Sequence, residues 1–135
     1  MKAFLPLLIL LSSAGLRAET TGQLIASYSA QASAAQPGFA VDAARGRDFA
    51  RRDWGLSGTL KSCAACHTGN PRGPGRHVAT GKTIRPLSPV VNPDRFSDAA
   101  KVEKWFRRNC NEVVGRPCTA AEKADYIAFA NDGVK

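Results

Sequence analysis

Methionine is absent after Met1, and histidine occurs only at positions 67 and 77. The first absence excludes a thioether metal ligand from the body of the chain. The second excludes a centre built from several imidazoles and leaves little for acid–base catalysis. No Ser/His/Asp arrangement and no second metal-binding cluster points to hydrolysis. The apolar run Phe4 to Leu11 is eight residues long, too short to span a bilayer, so no stable membrane insertion is expected. Alternating β-branched residues long enough for a sheet are also lacking, as are internal repeats and any sign of a second domain. An all-α domain of modest size is therefore expected.

The N-terminus has the order of an export signal. Lys2 precedes the apolar run, and Ser12-Ser13-Ala14 and Leu16-Arg17-Ala18 follow it. Cleavage after Ala18 gives residues 1–18 as signal and 19–135 as a single domain, whereas a cut after Ala14 obeys the small-residue rule better. The expected location is periplasmic and soluble. Export would place Cys110 and Cys118 in an oxidising compartment where they can pair. Lys and Arg number 19 against 11 Asp and Glu, and loss of Lys2 and Arg17 leaves 17 against 11, or +6. For an exported chain, that surplus suits an acidic protein partner or plain solubility rather than nucleic acid.

Residues Cys63-Ala64-Ala65-Cys66-His67 form C-x-x-C-H, the attachment signature of c-type haem. In a helical turn the two thiols stand one turn apart and can both reach the vinyl groups of one porphyrin. His67 then falls beneath the iron as proximal ligand. The alternative is a zinc site using Cys63, Cys66, His67 and a distant cysteine, which fits a closed tetrahedral shell less well. One covalent haem c per chain is expected.

Helical spacing of Leu24, Ile25, Tyr28, Ala32 and Ala35 ends at Pro37-Gly38, and Asp42 can cap a second helix with Ala43, Gly46, Phe49 and Ala50 inward. From Gly69 to Pro93 the density of proline and glycine predicts a loop without regular structure that wraps the haem edge, with Pro86-Leu87-Ser88-Pro89 as its apolar contact. Ser97 or Asp98 can open a third long helix ending near Asn109. Thr119-Ala120-Ala121-Glu122 reads as a capping box for a last helix with Tyr126, Ile127 and Ala130 inward. Lys101, Lys104 and Arg108 form a basic stripe, and Arg45, Arg47, Arg51 and Arg52 cluster on the second helix. Both read as solvated faces or as docking sites for an acidic redox partner.

With no methionine available, the distal ligand of such a haem is His77, a lysine, an asparagine, water or nothing. His77 reads most economically as a solvated loop residue. Val102, Trp105, Phe106 and Asn109 are spaced i, i+3, i+4, i+7, so Asn109 extends an apolar stripe. Its carboxamide either satisfies the helix end locally or binds something.

Over nearly all of the expected mature chain the sequence resembles the SHP-type monohaem cytochromes c, relatives of cytochrome c''. The resemblance runs from Gln23-Leu24-Ile25-Ala26 and Ala44-Arg45-Gly46-Arg47 through Cys63 to His67, Thr80 to Ile84 and Pro93-Asp94-Arg95-Phe96. It closes with Val102 to Trp105, Arg107-Arg108-Asn109-Cys110-Asn111, Gly115 to Thr119 and Glu122 to Asp125. It implies a small cytochrome c-like helical domain around one covalent haem, with Asn109 as distal ligand of the oxidised iron. In cytochrome c'' a histidine stands at that position. It also implies a Cys110–Cys118 disulfide, loss of the distal ligand on reduction, and binding of oxygen, carbon monoxide or nitric oxide by the ferrous form. A dihaem cytochrome c or a membrane b-type cytochrome is implied as electron donor. The competing functions are simple electron transfer and an oxidoreductase acting on oxygen, nitric oxide or peroxide; whether the chain is an enzyme stays open.

Overall fold

The computed structural model describes residues 19–132 except residue 57. The predicted export segment and both of its cleavage positions lie outside the described residues. The elements in chain order are α1 (Thr21–Ala35), α2 (Ala43–Arg51), α3 (Cys63–His67), β1 (Gly75–Arg76), β2 (Thr83–Ile84), α4 (Ala99–Val113) and α5 (Ala120–Asp132).

Each long helix starts where a side chain can satisfy its free N–H groups. Thr20 accepts from the Gln23 amide and Gln23 reaches back to the Thr20 amide. Asp42 accepts from Ala44 and Arg45, and Asp98 from Lys101. The Thr119–Glu122 capping box opens α5 as expected, with Thr119 N–H donating to Glu122 Oε2 at 2.8 Å and Glu122 N–H to Thr119 Oγ1 at 3.2 Å. Helix α4 runs past Asn109 to Val113 because Cys110 and Val113 continue its buried face. It stops at Gly115, whose φ of +78° only glycine adopts freely and whose N–H returns to the Cys110 carbonyl at 3.0 Å.

Helices α1 and α2 both pack on α5, burying Leu24, Tyr28 and Ala32 from α1 and Phe49 and Ala50 from α2 against Ala124, Ile127 and Ala130. The α2–α5 crossing is backbone to backbone. A Cβ at Gly46 would run into the Asp125 carbonyl and the Tyr126 amide nitrogen. Edge-on aromatic contacts link the elements, from Tyr28 to Phe106 at 6.1 Å, Phe106 to Tyr126 at 5.8 Å and Tyr126 to Phe49 at 6.4 Å.

Helix α4 joins this frame through the Phe106 ring contacts and through polar contacts. Tyr28 donates to Glu103 Oε2 at 2.8 Å, and Lys123 Nζ donates to both Glu103 oxygens at 2.8 Å, joining α1, α4 and α5. The Lys123 hydrogen bond, helped by that of Tyr28, holds the Glu103 carboxyl below its ordinary pKa against the opposing effect of burial. The α2 arginines are engaged within the chain: Arg45 binds Asp125 at 2.8 Å, Arg47 lies 3.6 Å from Asp48, Arg51 donates to the Gly69 carbonyl and Arg52 lies over Trp54.

The expectation of no regular structure between Gly69 and Pro93 is corrected by a small antiparallel ladder, Gly75 opposite Ile84 and Arg76 opposite Thr83. Gly81, at φ +68°, turns the chain, and Arg76 Nε donates to its carbonyl at 3.1 Å. The hairpin rests directly on α3, since a Cβ at Gly75 would meet the Cys66 carbonyl and the His67 Cα.

Candidate haem site

The five residues of α3 are too few for a stable isolated helix. Ser62 caps the turn, accepting from Ala65 N–H at 3.1 Å, and Thr68 ends it at φ +62° with its amide on the Ala64 carbonyl at 2.8 Å. Cys63, Cys66 and His67 all line one cleft of about 770 Å³, a size usual for cofactor clefts, which run to about 300–1,000 Å³. Helix α4 supplies a further part of the lining. Val102, Trp105, Phe106 and Asn109 all line the cleft, and Phe106 also packs edge-on against Tyr28 of α1 and Tyr126 of α5, so the predicted stripe serves the cavity as well as the neighbouring helices. Trp105, expected on an inner face, is 46% exposed at the cleft mouth. Phe49, Leu87, Phe96 and Tyr126 add to the apolar lining.

Burial, with the Arg95 charge adding to it, pushes the His67 imidazole down to a pKa of about 4, so at neutral pH it is uncharged and has a lone pair to give a metal. Burial likewise pushes the Cys63 thiol up to about 11. It is a protonated, weakly nucleophilic sulfur at neutral pH. Cys63 and Cys66 are free thiols, whereas Cys110 and Cys118 form a disulfide with a Cα–Cα distance of 5.7 Å. That bond begins one residue after Asn109. The expected pairing is therefore present, and both of its cysteines are buried.

Among the described residues no three of His, Cys, Asp and Glu converge as a metal shell, and Cys110 and Cys118 are paired with each other, so the zinc alternative lacks the distant cysteine it needs as fourth ligand. His77 also lines the cleft, but its Nδ1 accepts from the Thr80 N–H at 3.2 Å, committing one ring nitrogen to the hairpin. Lys101 and Arg108 of the basic stripe stand on the cleft wall; Lys104 does not. Asn92, Arg95, Phe49 and Tyr126 were not recognised as site residues from sequence. Two thiols one turn apart, a neutral imidazole next to them, a carboxamide on the same cleft and a largely apolar cavity fit haem c.

A helical domain whose C-x-x-C-H turn opens onto such a cleft is a c-type cytochrome. Residues 36–130 match the family described as a domain of unknown function, DUF1924. The cytochrome c-type protein SHP of Cereibacter sphaeroides is 44% identical over 131 residues, covering 96% of this chain and 97% of that protein. Cytochrome c'' of Methylophilus methylotrophus is 48% identical over 73 residues, 54% of this chain and 51% of its own. The structure of oxidised SHP, an oxygen-binding cytochrome c, superposes with a TM-score of 0.76 at 43% identity, covering 85% of this chain and 98% of that one. The chain belongs to this family of SHP-type cytochromes c and cytochrome c'', with haem c as its cofactor and electron transport as its general role.

Proposed function

We propose that this protein is a periplasmic, single-haem cytochrome that loses its distal ligand on reduction and then binds a diatomic gas, oxygen, nitric oxide or carbon monoxide. The observation that carries the reading is one cleft lined both by the C-x-x-C-H turn and by Asn109. Cys63 and Cys66 hold the cofactor as thioethers, and His67, kept neutral by burial, is the proximal ligand. When bound, the cofactor supplies an iron that changes oxidation state and offers an axial position to small gases.

Asn109 would hold the iron through a hard, neutral oxygen, a donor that suits the ferric ion better than the ferrous one and would be given up on reduction. The freed carboxamide stays on α4 beside the cleft, where its N–H groups can donate a hydrogen bond to a gas in the same space. The disulfide immediately after it fixes the backbone from which that side chain moves. Lys101 and Arg108 at the cleft wall suit an acidic electron donor, in keeping with a dihaem cytochrome c or a membrane b-type cytochrome.

Asn109→Ala tests the reading. Haem should remain on the chain, the ferric spectrum should change to that of a site open to water or added anions, and the reduction potential should rise because a ligand favouring the oxidised state is gone. An unchanged ferric spectrum and potential would exclude Asn109 as ligand and direct the next test to His77→Ala.

A further inference from the structure

Arg95 lines the cleft, is half buried, and acts on His67 electrostatically. Among the described residues, no carboxylate is one of the charges that act on it. Its Nε donates to the Pro86 carbonyl at 3.0 Å and an Nη to the Arg85 carbonyl at 2.9 Å. Those bonds use two of five N–H donors and neutralise none of the charge. The other arginines on the cleft wall already have partners: Arg85 pairs with Asp94 at 3.2 Å and Arg108 with Glu112 at 3.1 Å.

Asn92 completes the arrangement. It is 3% exposed, its Nδ2 donates to the same Pro86 carbonyl at 2.9 Å, and its buried Oδ1 has no partner among the described residues. One backbone oxygen thus holds an unpaired guanidinium and an unpaired amide oxygen on the same stretch of cleft wall. The next residue after Arg95 is Phe96, a buried aromatic at φ +55°. A bulky residue in the left-handed region is strained, and such strain persists where the surroundings demand a particular side-chain placement.

We propose that Arg95 and Asn92 form a receptor for one carboxyl side chain of the haem, and that the Arg95 charge helps set the reduction potential. The proposal rests on the haem reading above. The guanidinium fork matches a carboxylate, and Asn92 Oδ1 can accept from a carboxyl proton or from a water bridging the two. A cation held there disfavours the more positive ferric state, so removing it lowers the potential.

Redox titration of the Arg95→Gln holoprotein should shift the ferric/ferrous equilibrium toward ferric by about tenfold, a fall of about 59 mV for a one-electron couple. Arg95→Lys, which keeps the charge, should recover most of that shift, and Arg85→Gln, whose charge is exposed and paired, should move it less. Haem retention by the denatured parent chain is scored separately. A parent chain without covalent haem overturns the haem reading and the receptor with it. Haem retained, with Arg95→Gln at the parental potential, overturns the receptor alone. If Arg95→Gln does not fold, infrared spectra of the parent holoprotein with carboxyl-labelled haem decide: a band displaced by guanidinium pairing is expected, and only solvated carboxylate bands would refute the proposal.

Discussion

Cutting the Cys110–Cys118 bond should cost stability by an amount that follows from its short loop. The cysteines are separated by 8 positions, and the chain-entropy relation gives about 2.5 kcal/mol at 25 °C for a loop of that size. Alanine is the better replacement, because the two sites are only 5% and 8% exposed and an unpaired serine hydroxyl would add about 1–3 kcal/mol of its own. The Cys110→Ala/Cys118→Ala holoprotein should therefore melt roughly 10 °C lower in a domain of this size. Its urea midpoint should fall, as read by far-ultraviolet circular dichroism, and the slope should rise slightly because the unlinked unfolded chain exposes more surface. Treating the parent protein with reductant should reproduce the shift. A loss below about 1 kcal/mol would mean that the turn from Val114 to Cys118 is already confined in the unfolded chain, and the loop argument would fail.

Two further outcomes follow from the packing. Gly46→Ala gains roughly 1 kcal/mol of helix propensity, but its methyl group meets the Asp125 and Tyr126 backbone, which cannot rotate away; the net result should be a loss of about 2 kcal/mol in chemical denaturation, and equal or greater stability would show that α2 and α5 do not touch there. Because its native pKa is depressed, Glu103 stabilises the fold above the unfolded carboxyl value, roughly 4.3, and this contribution is lost as pH falls through the lower folded value. Glu103→Gln should therefore be less stable than the parent at pH 7, with the gap closing under acid; a gap independent of pH between 7 and 3 would refute the assignment.

What could be read from the sequence was local. Asp42, Asp98 and the Thr119–Glu122 box act within one helical turn, so the helix starts were legible. So was the cofactor turn, whose three functional residues lie within five positions. The end of α4 was not, because its continuation depends on the burial of Val113 and on Gly115 in a conformation set by the turn. Spacing placed Trp105 and Asn109 on one face without saying whether that face met a helix or a cavity. Arg95 and Asn92 lay in a Pro-rich segment with no period to read, and their relation depends on a shared carbonyl at Pro86. The ladder at Gly75 escaped notice because two paired residues on each side leave no alternating pattern.

The frame of α1, α2 and α5 joins helices from opposite ends of the described chain, so residues 52–119 form one long excursion between α2 and α5. Closing such an excursion is slow, since its entropic cost must be met before the contacts of α5 can repay it. Cofactor attachment on the proposed scheme has no such requirement, because Cys63, Cys66 and His67 are neighbours even in an extended chain. On that scheme the porphyrin could be joined while the polypeptide is still open, and its apolar faces would offer a surface on which Val102 and Phe106 of α4 could condense. Maturation would be a nucleation event around a covalently tethered guest, with the frame sealing last.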